Sequence, residues 1–524
     1  MRAGFLGAFV LALGVPTGSF GQTVTLTPTP NGITADYRLD ATSDRMAFAQ
    51  ADTNRTDWSV TTPNVSLTPN DLVSTAETDR FTVQLRPDSS EDGRGYIALT
   101  RLGEGYILYA PALTADGKIL QLEADLPEGW GLLPGPAFDG YVYVGPTSAV
   151  QRGATGAIRI ASESSPSAAS ATLFETFDKA LAFFTQTFGP LPRTPVMSVT
   201  QQGAGPMPFR GDVTDSGMIS IRFHGDISNA LDTSALSQLE HFAFHETTHL
   251  WNSHLARPTE GSPWLHEGGA EYLALVGSAS IGRIDQTEAL AGLSQRLTDC
   301  RNALSDRSDI LARISTGAAV YDCGTVIQWL ADMELRQEGG QPKGVISVWT
   351  DLISRARQGQ ADYGPGDLKA RLGPGSAVVA MLDGPAETRW SDLETILKRL
   401  NVRWVNRPSD VSLMAAALRH LKRQACTGGV SYSLRNGSIE MENGPDCGQL
   451  SGTVTLVAVE GHDPLTSSAS MFEAVQQRCA RRESLNVTLR SREATIAVPC
   501  VANLATPTAY ALTQAPPIAL PGAL

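Results

Sequence analysis

Between residues 23 and 160 the apolar positions come in short alternating runs, as at 81–85, 106–109 and 141–144, separated by Gly, Pro and Asp clusters. Alternation with a period of two marks half-buried strands, so residues 22–165 are expected to form an N-terminal β domain. The stretch 162–171 is Ser/Ala-rich and reads as a linker. Beyond it the period changes. Leu173, Phe174, Phe177, Leu181, Phe184 and Phe188 recur at helical spacing, and Gly189-Pro190 ends that helix. Strands are expected at 196–201 and 218–223. From Leu273 to about Leu421 nearly everything has helical periodicity, with Gly and Pro breaks near Gly339 and at 364–366, so residues 172–422 read as one mixed domain of a small sheet and a helical bundle. After Cys426 alternation returns at 454–459, followed by a helical stretch at 470–478 and strand-like runs at 485–489 and 495–498. This gives a small α+β unit over 425–505. The Ala/Pro/Leu-rich tail, 506–524, is expected to be poorly ordered.

Composition narrows the class. The chain has 524 residues, 42% hydrophobic and only 18% charged, with 49 glycines and 31 prolines. That is too long for one ordinary core and too apolar for disorder, which fits a multidomain, turn-rich protein. Arg2 precedes an apolar run at 5–15, and Ser19 and Gly21 supply the small residues before a cleavage point, so residues 1–21 are expected to be a signal peptide. The run is too short to span a bilayer, and no later segment is long enough. The formal net charge of −13 becomes −14 once Arg2 is removed with that segment, which argues against a nucleic-acid partner. A periplasmic or extracellular location is therefore expected. Six cysteines, Cys300, Cys323, Cys426, Cys447, Cys479 and Cys500, then predict disulfides. Pairing neighbours would close loops of 23, 21 and 21 residue steps, although six cysteines allow 15 connectivities.

The candidate chemistry lies in one short region. Six of the eight histidines fall between His224 and His266, and two of them form His245-Glu246-Thr247-Thr248-His249. On a helix, residues four apart share a face, so both imidazoles can reach one ion while Glu246 points aside toward a metal-bound water. Apolar Leu239, Phe242, Phe244 and Leu250 support a helix here. Asp232, Thr233 or Ser234 can cap its start, and Pro258 stops it. Pro263 opens a second helix carrying Glu267 and, one turn later, Glu271. A catalytic zinc site takes three protein ligands and keeps one open position, so Glu267 is the candidate third ligand to a single Zn2+ per chain. Glu271 is placed to accept a hydrogen bond from the outward ring nitrogen of a ligating histidine.

His245-Glu246-Thr-Thr-His249-Leu-Trp-Asn252 followed by Trp264-Leu-His-Glu267-Gly resembles the gluzincin peptidases of the aminopeptidase N and glycyl aminopeptidase families. The likeness spans about residues 173–335, with 17 residues between His249 and Glu267, one fewer than usual in aminopeptidase N. It implies a thermolysin-like α+β catalytic domain with a helical bundle behind the N-terminal β domain. It also implies a peptide or protein substrate and Glu246 as catalytic base. Val320-Tyr321-Asp-Cys-Gly324 resembles the segment whose tyrosine donates a hydrogen bond to the tetrahedral intermediate, which gives Tyr321 that role. Gly211-Asp-Val-Thr214-Asp215-Ser-Gly217 lines up with the strand that normally carries a glutamate for the substrate's free amine. Thr214 stands in the glutamate's place, with Asp215 next to it, so Thr214 and Asp215 are the substrate-binding candidates and aminopeptidase versus endopeptidase activity stays open. The segment 457–465 with 485–491 resembles a PDZ-type domain, a peptide-binding module. The competing expectation is a catalytically retired gluzincin fold that binds peptides or acts as a scaffold, in which zinc would be held without turnover.

Overall fold

The computed structural model describes residues 22–48, 55, 57–88, 96–116, 120–136, 139–161, 167–202, 209–224, 233–259, 261–304, 311–337, 340, 343–426, 431–435, 438–490 and 495–520. The expected signal peptide, residues 1–21, lies outside them, as do Asp232 and residues 162–166 of the expected linker. The chain forms two compact units, 1–255 and 256–524.

The first unit is built on three sheets. β1 (Gln22–Thr29), β2 (Gly32–Ala47), β3 (Ser59–Val60), β4 (Val65–Leu67), β5 (Asp71–Leu85) and β8 (Leu120–Ala124) make one, in the order β3-β5-β2-β1-β8 with β4 also on β5. β6 (Leu99–Leu102), β7 (Gly105–Tyr109), β9 (Trp130–Leu133) and β10 (Tyr141–Pro146) make the second, in the order β6-β7-β10-β9. β7 is buried along its whole length and β10 nearly so, which corrects the alternation expected at 106–109 and 141–144: both runs are apolar on both faces. The third sheet, in the order β11-β12-β13-β15-β14, joins β11 (Val150–Arg152) and β12 (Ile158–Ala161) to β13 (Val196–Gln202), β14 (Phe209–Val213) and β15 (Met218–His224). Ile158, Ile160, Val196 and Met218 share one apolar core with the first two sheets.

Helix α1 (Ala168–Phe188) connects β12 to the parallel β13 and ends at Gly189, which has φ 84°. Helix α2 (Thr233–Asn252) follows β15.

The second unit contains β16 (Arg257–Pro258), α3 (Pro263–Ser280), α4 (Gln286–Leu304), α5 (Ala319–Gln337), α6 (Val345–Arg357), β17 (Asp362–Tyr363), α7 (Pro365–Leu372), α8 (Ala377–Asp383), α9 (Arg389–Arg399), β18 (Arg403–Asn406) and α10 (Asp410–Ala425). A five-stranded antiparallel sheet follows, in the order β19 (Ser431–Arg435), β20 (Ser438–Asn443), β21 (Gly452–Val459), β22 (Leu485–Leu489) and β23 (Thr495–Val498), with α11 (Ser468–Ala480) between β21 and β22. Met414, Leu418 and Leu421 of α10 belong to the apolar core of that sheet, so the last helix of the expected bundle packs with the region that follows it. The cysteines pair as neighbours: Cys300–Cys323, Cys426–Cys447 and Cys479–Cys500. Among the described residues no helix is long and apolar enough to cross a membrane.

The expectation of a poorly ordered tail is corrected. Residues Tyr510–Gln514 form β24, antiparallel to β18, with Tyr510 opposite Asn406. Two side chains of α4 accept backbone donors of this strand, Thr298 Oγ1 from Tyr510 at 2.9 Å and Ser294 Oγ from Leu512 at 3.0 Å. Burial of Tyr510 and Ile518 and these long-range bonds hold the segment, and none of them leaves a local sequence signal.

Candidate metal centre

Helix α2 places its chemistry by packing. Phe184 of α1 meets Phe244 at 6.0 Å and Trp251 at 5.6 Å between ring centroids, and the Trp251 indole donates to the Gly189 carbonyl at 3.1 Å. Two threonines sit inside the motif on a fully buried stretch. Thr247 Oγ1 donates to the Ala243 carbonyl at 2.6 Å and Thr248 Oγ1 to that of Phe244 at 2.9 Å, so both hydroxyls are satisfied within their own helix. The other face of α2 meets the edge strand β14, where Phe242 lies against Phe209 at 5.0 Å. A Cβ on Gly211 would come within 2.5 Å of the Phe242 ring, which accounts for the glycine.

The four-residue spacing has the expected effect. His245 and His249 are both buried, and their Nε2 atoms approach to 3.1 Å. His249 Nδ1 lies 3.0 Å from Asn252 Oδ1. An amide oxygen only accepts, so Nδ1 carries the proton and the Nε2 lone pair is left for a ligand. Glu246 is buried between the two in sequence.

Glu267 lies in the second turn of α3. The helix starts at Pro263, and the Trp264 indole donates to the Ala312 carbonyl at 3.1 Å. His266 Nε2 is 3.7 Å from Glu267 Oε1, and His266 Nδ1 is 3.3 Å from the Tyr363 hydroxyl. Burial, and secondarily the charge of Glu267, push the Tyr363 hydroxyl well above the ordinary tyrosine range, so it stays protonated as a donor.

The other candidates are placed as follows. Glu271 accepts from Arg296 Nη2 at 2.7 Å. Tyr321 stands in the first turn of α5 with 38% of its surface exposed, unlike the core tyrosines. Thr214 and Asp215 sit in the turn after β14, so strand alternation does not govern them. Thr214 is turned inward, its Oγ1 accepting from the Tyr141 backbone at 3.0 Å beside Ser216 Oγ, also at 3.0 Å. Asp215 is turned outward, and its carboxylate meets His254 Nδ1 at 2.5 Å.

Sequence reading assigned no role to Asn252, Tyr363 or Arg296. Asn252 was within reach of it, since a side chain three residues after a ligand shares the helix face. Tyr363 and Arg296 are joined to the site's residues only by tertiary structure.

No family model and no curated protein matches the sequence. Among solved structures, an aminopeptidase N family protein from Idiomarina loihiensis superposes with a TM-score of 0.62 at 13% identity, covering 96% of this chain and 100% of that one. The fold is aminopeptidase N-like. Within that fold the chain has its mixed α/β, multidomain architecture, with α2 and α3 carrying the candidate residues. More distant from it are an aminopeptidase A from Legionella pneumophila (TM-score 0.42, 13% identity, 70% of this chain and 49% of that one) and an M1 zinc metallopeptidase from Deinococcus radiodurans (TM-score 0.36, 14%, 72% and 92%).

Proposed function

We propose that the protein is a zinc metallopeptidase acting in the periplasm or outside the cell, with His245, His249 and Glu267 as ligands to one zinc ion and Glu246 as general base. The observation that carries this reading is the pair of buried imidazoles with Nε2 atoms 3.1 Å apart, one of them oriented through Asn252. Two neutral imidazole nitrogens and a carboxylate are the donor set that suits catalytic zinc, with one position left open. Three disulfides support the oxidising compartment.

When bound by these residues, zinc would supply Lewis acidity and a water acidic enough to lose its proton near neutral pH. Glu246 takes that proton on its carboxylate and returns it to the leaving amine. Tyr321 donates from its hydroxyl to the oxygen on which charge develops, a kind of contact worth about 3–4 kcal/mol of barrier. Asn252 keeps the Nε2 lone pair of His249 available, and Glu271, one turn beyond Glu267 on α3, is held by Arg296. Asp215, the outward member of its pair, is the carboxylate assigned to the amine of a substrate with a free N-terminus.

Glu246→Gln tests the mechanism. The variant is expected to retain one zinc per chain by elemental analysis while kcat on peptides falls by about 10²–10⁴-fold. His249→Ala is expected to lose zinc and turnover together. Normal turnover by Glu246→Gln would end the reading, and zinc without turnover in the parent chain would favour a retired fold. Comparing free and acetylated N-termini on the same peptides decides between aminopeptidase and endopeptidase activity.

A further inference from the structure

Helices α3 and α5 approach backbone to backbone where Gly268 meets Gly324. A Cβ on Gly268 would lie 2.2 Å from the Gly324 Cα, and one on Gly324 would lie 2.2 Å from the Trp264 carbonyl oxygen. Backbone therefore touches backbone one residue after Glu267 and three residues after Tyr321. Such a crossing allows close approach but has no interlocking ridges at that point to set how far one helix slides along the other. The register has to be fixed elsewhere.

A charged fork and a covalent bond lie beside the crossing, both from α4. Arg296 donates from Nη2 to Glu271 Oε2 at 2.7 Å and from Nη1 to Asp322 Oδ1 at 2.8 Å. Glu271 is one turn beyond Glu267 on α3, and Asp322 adjoins Tyr321 on α5. One turn further along α4, Cys300 is bonded to Cys323. The carboxylate side chains are nearly dry, 12% and 7% exposed, so water competes weakly for them. A planar guanidinium holds two acceptors at a set separation and angle, which a lysine ammonium does not.

We propose that Arg296 is a positioning residue that fixes the Tyr321 ring relative to Glu267, with the Cys300–Cys323 disulfide as a second tether on the same turn of α5. The catalytic consequence rests on the peptidase reading, whereas the placement of the ring does not.

The test uses the full chain and its Arg296→Lys and Arg296→Met variants, each with and without Tyr321→Phe. First, 3-fluorotyrosine is incorporated at position 321 and its ¹⁹F line recorded on zinc-free protein. The parent is expected to give one narrow line, Arg296→Met a shifted and broadened one, and Arg296→Lys an intermediate. Second, kcat and KM are measured on an internally quenched peptide and on an alanine amide with a free amine. Arg296→Met is expected to lower kcat about 10–100-fold with KM within about threefold of the parent, and to add little once Tyr321 is phenylalanine. An unmoved ¹⁹F line in Arg296→Met overturns the proposal whatever the activity, and so do losses that multiply in the double variant. If Arg296→Met fails to fold, Arg296→Lys carries both comparisons. A line that moves in a chain whose parent cleaves nothing would sink the peptidase reading and leave the positioning role standing.

Discussion

α2 and α3 carry the proposed ligands, and different forces hold them. α2 is held by aromatic packing, with Phe184, Phe244 and Trp251 fully buried and the hydroxyls of Thr247 and Thr248 satisfied inside the helix. α3 buries Trp264, Leu273 and Val276 as completely, and polar clamps are added to that packing, on Glu271 from Arg296 and on the Tyr272 hydroxyl from Asp332 at 2.8 Å. Asp332 also pairs with Arg336 and accepts from the Val345 backbone. Apolar packing has no titrating group and fails through lost volume. A polar clamp works through direction and charge, so it fails when a partner is removed or protonated.

The largest effect expected from breaking this contrast is on the apolar side. Phe184→Ala opens a void beneath both aromatic partners of α2 and is expected to lower unfolding free energy by about 3–5 kcal/mol in urea denaturation. A loss below about 1 kcal/mol would show that packing on α1 does not hold α2.

A smaller and more selective effect is expected at Asn252. Asn252→Ala removes the acceptor of the His249 Nδ1 proton and should weaken zinc binding about 10–100-fold, measured by competition with a chromogenic chelator. An unaltered affinity would mean that the amide does not orient the ring.

The smallest effect is a pH dependence on the polar side. Burial pushes the Asp322 carboxyl up to about 6 from 3.8, a shift that the Arg296 pair reduces but does not cancel. The folded state thus holds this proton more tightly than the unfolded one. The contribution to stability is present below about pH 4 and is lost as pH rises through 6. Asp322→Asn lacks the titration, so its stability relative to the parent should improve between pH 4.5 and 7.5, by about 1–3 kcal/mol after allowance for the charges around it. Urea midpoints that keep a constant difference across that range would show that the carboxyl is not raised.

Much of the fold was legible because it rests on local pattern. The Phe174-to-Phe188 periodicity gave α1, and the runs at 196–201 and 218–223 gave β13 and β15 nearly to the residue. The tail was not legible, because β24 owes its existence to β18 and to hydroxyls on α4 more than 200 residues away. Thr214 is lined up with a strand by the family resemblance. It lies in a turn where its hydroxyl is taken up by Tyr141, and no periodicity reports that.

The sequence by itself determined the pairing of His245 with His249, since four residues on a helix bring two side chains to one face whatever surrounds it. It determined the glycines after Glu267 as well, though not their reason. Tertiary structure alone decided that Arg296 would join Glu271 to Asp322, that Tyr363 would meet His266, and that Thr214 would turn inward. Those outcomes depend on where distant segments arrive in space, and hydrogen-bond direction and burial are defined only once they have arrived.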